Sequence, residues 1–150
     1  MKISNSFQIS SSGLTAQRLR MDVISSNIAN AETTRAQYVN GKFVPYTRKV
    51  VVMSPTEPTF QQSFEAAMKG EPTSRGVKVS QIKADNSAFK IAYNPTHPDA
   101  DENGYVTMPN VDIAKEMVDM ISATRSYEAN VTALNASKSM VMKALEIGKG

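Results

Sequence analysis

The sequence predicts an α+β fold: long N- and C-terminal helices forming an antiparallel coiled coil, with a small β-rich domain inserted between them. Three observations predict it. Apolar residues recur every seven positions at both ends of the chain, the middle changes to short strand-like runs, and Asn40-Gly41 sits between the flanks Tyr38-Val39 and Lys42-Phe43. The expected division is 1–35 for the first core helix, 36–108 for a β-rich middle domain with one short helix, and 109–150 for the second core helix.

At the N-terminal end Phe7, Leu14, Met21 and Ile28 form one seam, and Ile3, Ile24 and Ala31 lie on the other. Ser10 and Gln17 weaken that second seam, and Gly13 inside the helix costs about 1 kcal/mol relative to Ala. The pattern predicts a helix over 11–31, with an extension back to residue 4. Such a helix is marginal alone in water and needs a partner.

The C-terminal repeat is stronger. Ile113, Met120, Tyr127, Leu134 and Val141 recur at one seam position, with Met117, Thr124, Val131, Lys138 and Leu145 at the other. Asn110 or Asp112 is placed to cap this helix after Pro109. Gly148 ends it, with Lys143 and Lys149 near the negative end of the dipole. About 35 residues at roughly 1.5 Å each span about 50 Å.

Between the helices, Asn40-Gly41 predicts a hairpin, and Tyr46–Met53, Val77–Lys83, Ala88–Tyr93 and Tyr105–Met108 read as further strands. Thr59-Phe60-Gln61-Gln62 has the form of a capping box opening a short helix to Lys69, which Gly70 and Pro72 stop.

Charge is missing where a solvated helix needs it. Residues 3–17, 23–31 and 129–137 carry no charged side chain, and their non-seam positions are Ser, Thr, Asn, Gln and Ala. Small neutral side chains let a helix pack on several faces, whereas a helix wet on one side normally carries Lys and Glu there. The expectation is therefore a subunit of a polymer or ring, with ends that order on assembly. The competing reading is a Ser/Asn-rich surface helix. The expected assembly residues are Leu14, Met21, Ile24, Asn27, Ile28, Asn30, Met117, Met120, Tyr127, Asn130, Val131, Leu134 and Val141.

Composition narrows the chemistry. Cys is absent and His97 is the lone histidine, so disulfides, Cys-based zinc sites and thiol catalysis are excluded. The net charge of +3 is scattered rather than striped, which argues against nucleic acid. No apolar run approaches the roughly 20 residues of a membrane span, and no cleavable secretory signal is visible.

Asp99-Ala100-Asp101-Glu102-Asn103-Gly104 matches the first half of a calcium loop. Asn110 stands where a bidentate Glu belongs, however, and Pro95 and Pro98 forbid the incoming helix, so an acidic turn is the plainer reading. No Ser lies in a nucleophile elbow and no Gly-rich phosphate loop exists. Met117, Met120, Met140 and Met142 suit core packing or an adaptable interface. No catalytic, cofactor or metal residues are expected, nor a small-molecule substrate.

Two motifs carry a resemblance. Ser12-Gly13-Leu14-Thr15-Ala16-Gln17-Arg18, with Ser25-Ser26-Asn27-Ile28-Ala29-Asn30-Ala31, closely resembles the leading motif of flagellar rod, hook and related axial proteins. Glu116-Met117-Val118, Arg125-Ser126-Tyr127-Glu128-Ala129-Asn130 and Lys143-Ala144-Leu145 resemble their closing motif. The run from Tyr93 to Asp101 and the run from Gly104 to Val111 are similar to the proximal-rod branch of the flagellar basal-body rod family. Asn30-Ala31-Glu32-Thr33-Thr34 lacks the Thr-Pro-Gly-Tyr continuation of hook and distal-rod relatives, and the segment 58–73 fits no motif of the family.

The resemblance implies a structural subunit of the proximal rod, part of the shaft passing torque from rotor to hook. It implies type III export with an uncleaved N-terminus and assembly in the periplasm. The implied partners are copies of the chain, other rod subunits, the rod-base adaptor and the export gate. A sibling rod subunit and a calcium-binding secreted coiled-coil module stand as the alternatives.

Overall fold

Helix α1 spans Ile3–Ala29. It ends where Asn30 turns back on the Ser26 carbonyl, which accepts both the Asn30 N–H at 3.2 Å and its side-chain Nδ2 at 2.8 Å. The C-terminal helix α3 spans Ile113–Ile147. Its cap is Asp112, whose Oδ1 accepts the N–H groups of Ala114 at 3.0 Å and Lys115 at 3.4 Å. Asn110 is free of that duty and serves elsewhere. This computed structural model describes residues 3–39, 41–69 and 75–148. Asn40, Gly70, Pro72 and Lys149, and the side chains of Ile3 and Gln62, lie outside the described residues.

The region between the helices holds β1 (Gln37–Val39), β2 (Lys42–Val44), β3 (Lys49–Pro55), α2 (Phe60–Lys69), β4 (Val77–Ala84), β5 (Lys90–Tyr93) and β6 (Tyr105–Met108). The strands form two-stranded ladders, β1 with β2, β3 with β4 and β5 with β6. The predicted hairpin is present with Tyr38 opposite Phe43, and Gly41 has φ +81°, the left-handed conformation such a turn demands. In β5–β6, Lys90 pairs with Met108 and Tyr93 with Tyr105, and Gly104 at φ +78° closes the connecting loop. The strand expected from Tyr46 begins instead at Lys49. Tyr46 is buried, and its N–H donates to the Thr33 carbonyl at 3.0 Å.

The chain divides into two compact units, each built from discontinuous stretches: residues 1–19, 52–81 and 123–150, and residues 20–51 and 82–122. In the first, Ser10, Ala16, Ala123 and Ser137 are buried. The Ser12 hydroxyl there donates to the Ile9 carbonyl at 2.7 Å and accepts the Val77 N–H at 3.1 Å. In the second, Val23, Ile24, Tyr46, Val106 and Val111 form a small apolar core around buried Asn27, Asn110 and Glu116.

Candidate assembly interface

The deepest positions of α3 are small or polar, and in α1 Asn27 and Ala16 lie deepest, ahead of Ile24 and Val23. In α3 they follow a strict seven-residue spacing, with Glu116, Ala123 and Ser137 buried and Asn130 half-buried. In α1, Ala16, Val23 and Asn27 occupy the corresponding inner face. The bulky residues of the predicted seams flank these lines. Ile24 is buried; Leu14, Met21, Ile28, Asn30, Met120, Tyr127, Asn130, Val131, Leu134 and Val141 are half-buried; and Met117 is 55% exposed. Gly13 serves a close approach, because a Cβ at that position would lie 3.0 Å from Asn130 Oδ1.

In the unit of residues 20–51 and 82–122, Asn27 is 1% exposed and uses its whole side chain. Its Nδ2 donates to Glu116 Oε2 at 2.9 Å and to the Lys49 carbonyl at 2.8 Å. Its Oδ1 accepts the Lys49 N–H at 2.9 Å and the Tyr46 hydroxyl at 3.0 Å. Glu116, 0% exposed, gives its other oxygen to Arg48, whose Nε lies at 2.7 Å and Nη2 at 2.6 Å.

Arg48 also reaches Asp85 at 3.2 Å and Asp119 at 3.6 Å, and Asp119 meets Arg20 at 3.3 Å. Asn110 ties the network to the chain. It accepts the Arg48 N–H at 2.8 Å and donates to the carbonyls of Asp85 at 2.9 Å and Ser87 at 3.1 Å. Burial opposes the charge on Arg48, but the hydrogen bonds and charges of Glu116 and Asp85 outweigh it and hold the guanidinium above its ordinary pKa. The Ser87 N–H, then Arg48, hold the Asp85 carboxyl below its usual value.

Tyr46, Arg48, Asp85, Asn110 and Asp119 were not legible in the sequence as members of one site. One signal was available: Glu116 interrupts a line otherwise made of small residues at Ala123, Asn130 and Ser137, so a burial partner had to exist for it.

The half calcium loop is used differently. Asp99 accepts the Thr34 hydroxyl at 2.7 Å and Arg35 Nε at 2.6 Å, and its pKa is lowered first by the Arg35 hydrogen bond and then by Thr34. A guanidinium therefore occupies the carboxylate a cation would need. Among the described residues no group of three or more His, Cys, Asp or Glu side chains is placed to hold a metal ion. An open cleft is lined by Asp22, Val23, Ser26, Lys49, Ile82 and Ala84, and the Ser26 hydroxyl there lies 3.4 Å from the Tyr46 hydroxyl.

Large apolar side chains are left outward. On α3 of this unit Ile113, Met117, Val118 and Ile121 are exposed, and in the other unit Met140, Met142, Leu145 and Ile147 are exposed on the same helix. A free-standing helix normally turns such residues inward. In α2, Phe60, Phe64 and Met68 line up at four-residue spacing, all exposed.

Comparison with known proteins identifies the family. Residues 7–37 match the family described as "Flagella basal body rod protein", and residues 102–147 match "Flagellar basal body rod FlgEFG protein C-terminal". The chain is 56% identical to the flagellar basal-body rod protein FlgC of Bacillus subtilis over 150 residues, covering 99% of this chain and 100% of that one. It is 45% identical to FlgC of Borreliella burgdorferi, with full coverage of both chains. It is 42% identical to FlgC of Salmonella typhimurium, covering 99% of this chain and 100% of that one. The matched segments contain α3 whole and α1 from Phe7, the elements that carry the buried polar line, and the chain belongs to the flagellar basal-body rod protein family.

Proposed function

We propose that the chain builds the proximal rod of the bacterial flagellum, the shaft that carries torque from rotor to hook, by packing α1 and α3 against copies of itself and other rod subunits. The observation that carries this reading is 56% identity to a flagellar basal-body rod protein along essentially the whole chain. It is a structural subunit of the basal-body rod and not an enzyme, as the rod family it belongs to is structural. It assembles with other rod components, and among the described residues no helix is long and apolar enough to cross a membrane.

Within this reading, segments 1–35 and 109–150 form the assembly core and 36–108 an outer domain that sets neighbour contacts. The two helices pair antiparallel. Support comes from the unit of residues 20–51 and 82–122, where Arg20 meets Asp119 and Asn27 meets Glu116, so a step forward in α1 is a step back in α3. Of the thirteen assembly residues expected from the sequence, Asn27 and Asn130 lie on the buried line itself and the bulky ones beside it, and the exposed apolar side chains of α3 supply a further face for neighbours. The subunit is exported through the type III apparatus without loss of its N-terminus. It works in the periplasm and meets the rod-base adaptor and export gate.

The test is complementation of a strain lacking its own copy, followed by isolation of basal bodies. The native chain should restore swimming and co-purify with rods at its native N-terminus, and Ile28→Asp should abolish both. Rods built normally by Ile28→Asp would overturn the assignment of the α1 seam, and absence of the native chain from isolated rods would overturn the function.

A further inference from the structure

We propose that, in the assembled rod, α2 docks on a second copy of this chain, with the Phe60–Phe64 pair seated in that copy's cleft beside Val23 and Ile82. This contact presupposes the rod reading above and adds to it two faces that match.

The first face is α2. The chain leaves and re-enters the fold around it at one neck, where the Thr56 N–H donates to the Gly76 carbonyl at 2.8 Å and the Val77 N–H donates to the Ser12 hydroxyl at 3.1 Å. A Cβ at Gly76 would lie 2.5 Å from Ser12 Oγ, so the neck is pressed against α1, a helix that the rod-family match covers from Phe7. A helix of 10 residues is marginal alone in water and is normally held by burying an apolar stripe. The stripe of α2 is present, as Phe60, Phe64 and Met68 with the two rings stacked 6.2 Å apart, but it is not buried. Of its described side chains only that of Ala66 is even half-buried.

The second face is the cleft in the unit of residues 20–51 and 82–122. It holds about 530 Å³, a size found in built pockets of roughly 300–1,000 Å³. Val23, Ile82 and Ala84 give it apolar walls, and Ile82 is 47% exposed. The cleft is also lined by one residue of each charge, Asp22 and Lys49, and α2 carries one of each, Glu65 and Lys69. Seating α2 there sets no excess of one sign against the same sign. Aromatic anchors entering a pocket with charges at its edge are what carries most of the energy of a protein interface.

The two faces are different, as a shaft requires. A face meeting its own twin closes a dimer, whereas a protrusion meeting another surface on the next copy can repeat without closing. A lipid surface suits α2 less well, because Lys69 is its only cation.

The sequence holds no Cys, so introduced thiols report a single chosen contact within the chain and its copies. The experiment uses cells lacking their own copy and expressing two differently tagged chains, one with Phe64→Cys and one with Ile82→Cys, both at exposed positions. After mild oxidation and isolation of basal bodies, a disulfide-linked product carrying both tags is expected, and neither variant expressed alone should give a dimer. Rods that contain both variants without the mixed product would overturn the proposal. Equal dimers from either variant alone, or a product joining the Phe64→Cys chain to a different protein, would also overturn it. In parallel, Phe60→Ser with Phe64→Ser should lower incorporation into rods about tenfold or more. Unchanged incorporation would overturn the proposal, including where the cysteine variants fail to build rods. Absence of the native chain from rods would instead sink the rod reading itself.

Discussion

Asn27 and Glu116, 89 positions apart in sequence, share a 2.9 Å hydrogen bond between helices, and both are almost completely withdrawn from solvent. Buried polar pairs persist when every lone pair and proton has a partner, and here a third segment, residues 46–49, provides them. Asn27→Leu removes four hydrogen bonds, takes from the Lys49 N–H and carbonyl their partner on Asn27, and leaves the Tyr46 hydroxyl only its 3.4 Å contact with Ser26. A loss of about 2–4 kcal/mol is expected, read as a lower urea midpoint. Asn27→Asp should be worse, because it sets a second carboxylate against Glu116.

How much of this was legible beforehand follows from what each residue contributes. Tyr38, Gly41 and Phe43 act through local rules, so the hairpin followed directly from the sequence and is present with Val39 opposite Lys42. The helices were legible because Phe7 to Ile28 and Ile113 to Val141 repeat every seven residues. The inner faces were legible only in part: Ile24, Asn27 and Asn130 stand among the residues expected from the sequence, but hydrophobic periodicity weights Leu, Ile and Met and passes over Ala16, Glu116 and Ala123. Small residues are buried because they allow close approach, and polar ones because distant residues satisfy them. The only trace in the sequence is Glu116 itself, a charge on a line otherwise made of small residues. Arg48 and Asp85 read as ordinary surface charges until the fold brings them together at 3.2 Å.

Gly13 tests the close approach. In an isolated helix Gly→Ala gains about 1 kcal/mol. Here the new Cβ would meet the Asn130 side chain at 3.0–3.2 Å, and Asn130 Nδ2 is engaged by the Ser126 carbonyl at 2.8 Å. The expected outcome of Gly13→Ala is no net gain, or a loss of about 1 kcal/mol, in urea unfolding. Pairing it with Asn130→Ala should recover the helix-propensity gain, which a double-mutant cycle would display.

Acid should weaken the fold through two aspartates. Asp85 and Asp99 both have folded pKa values below the ordinary aspartate value of 3.8, so each contributes stability that is present above that value and is lost as pH falls through the lower folded value. The unfolding midpoint should therefore be lower below about pH 4 than near neutrality. Asp99→Asn should flatten part of that drop, because its carboxylate no longer exchanges a proton against Arg35 and Thr34. The comparison needs only thermal melts of both proteins across the acid range.

Phe60, Phe64 and Met68 in α2 are 87%, 56% and 73% exposed, with the two phenyl rings 6.2 Å apart. Side chains this exposed contribute little to the isolated subunit. Phe60→Ser with Phe64→Ser should change its unfolding free energy by no more than about 0.5 kcal/mol per site. A larger loss would mean that α2 is packed in solution.

The outward face of α3 separates folding from assembly. Met117 and Ile121 are one turn apart, 55% and 61% exposed, and point away from the line marked by Glu116 and Ala123. Substituting both by Asp removes no internal contact of the deeply buried set, so the circular dichroism spectrum and urea midpoint of the subunit should stay close to native. In an assembly the same carboxylates would have to be desolvated against a neighbour, which is strongly unfavourable without a cation. Met117→Asp with Ile121→Asp should therefore give a stable subunit that fails to restore rods and swimming. Ile28→Asp, at a half-buried position in α1, should lower subunit stability as well. Normal rods from the doubly substituted α3 would show that this face stays in water, and the apolar strip would then need another explanation.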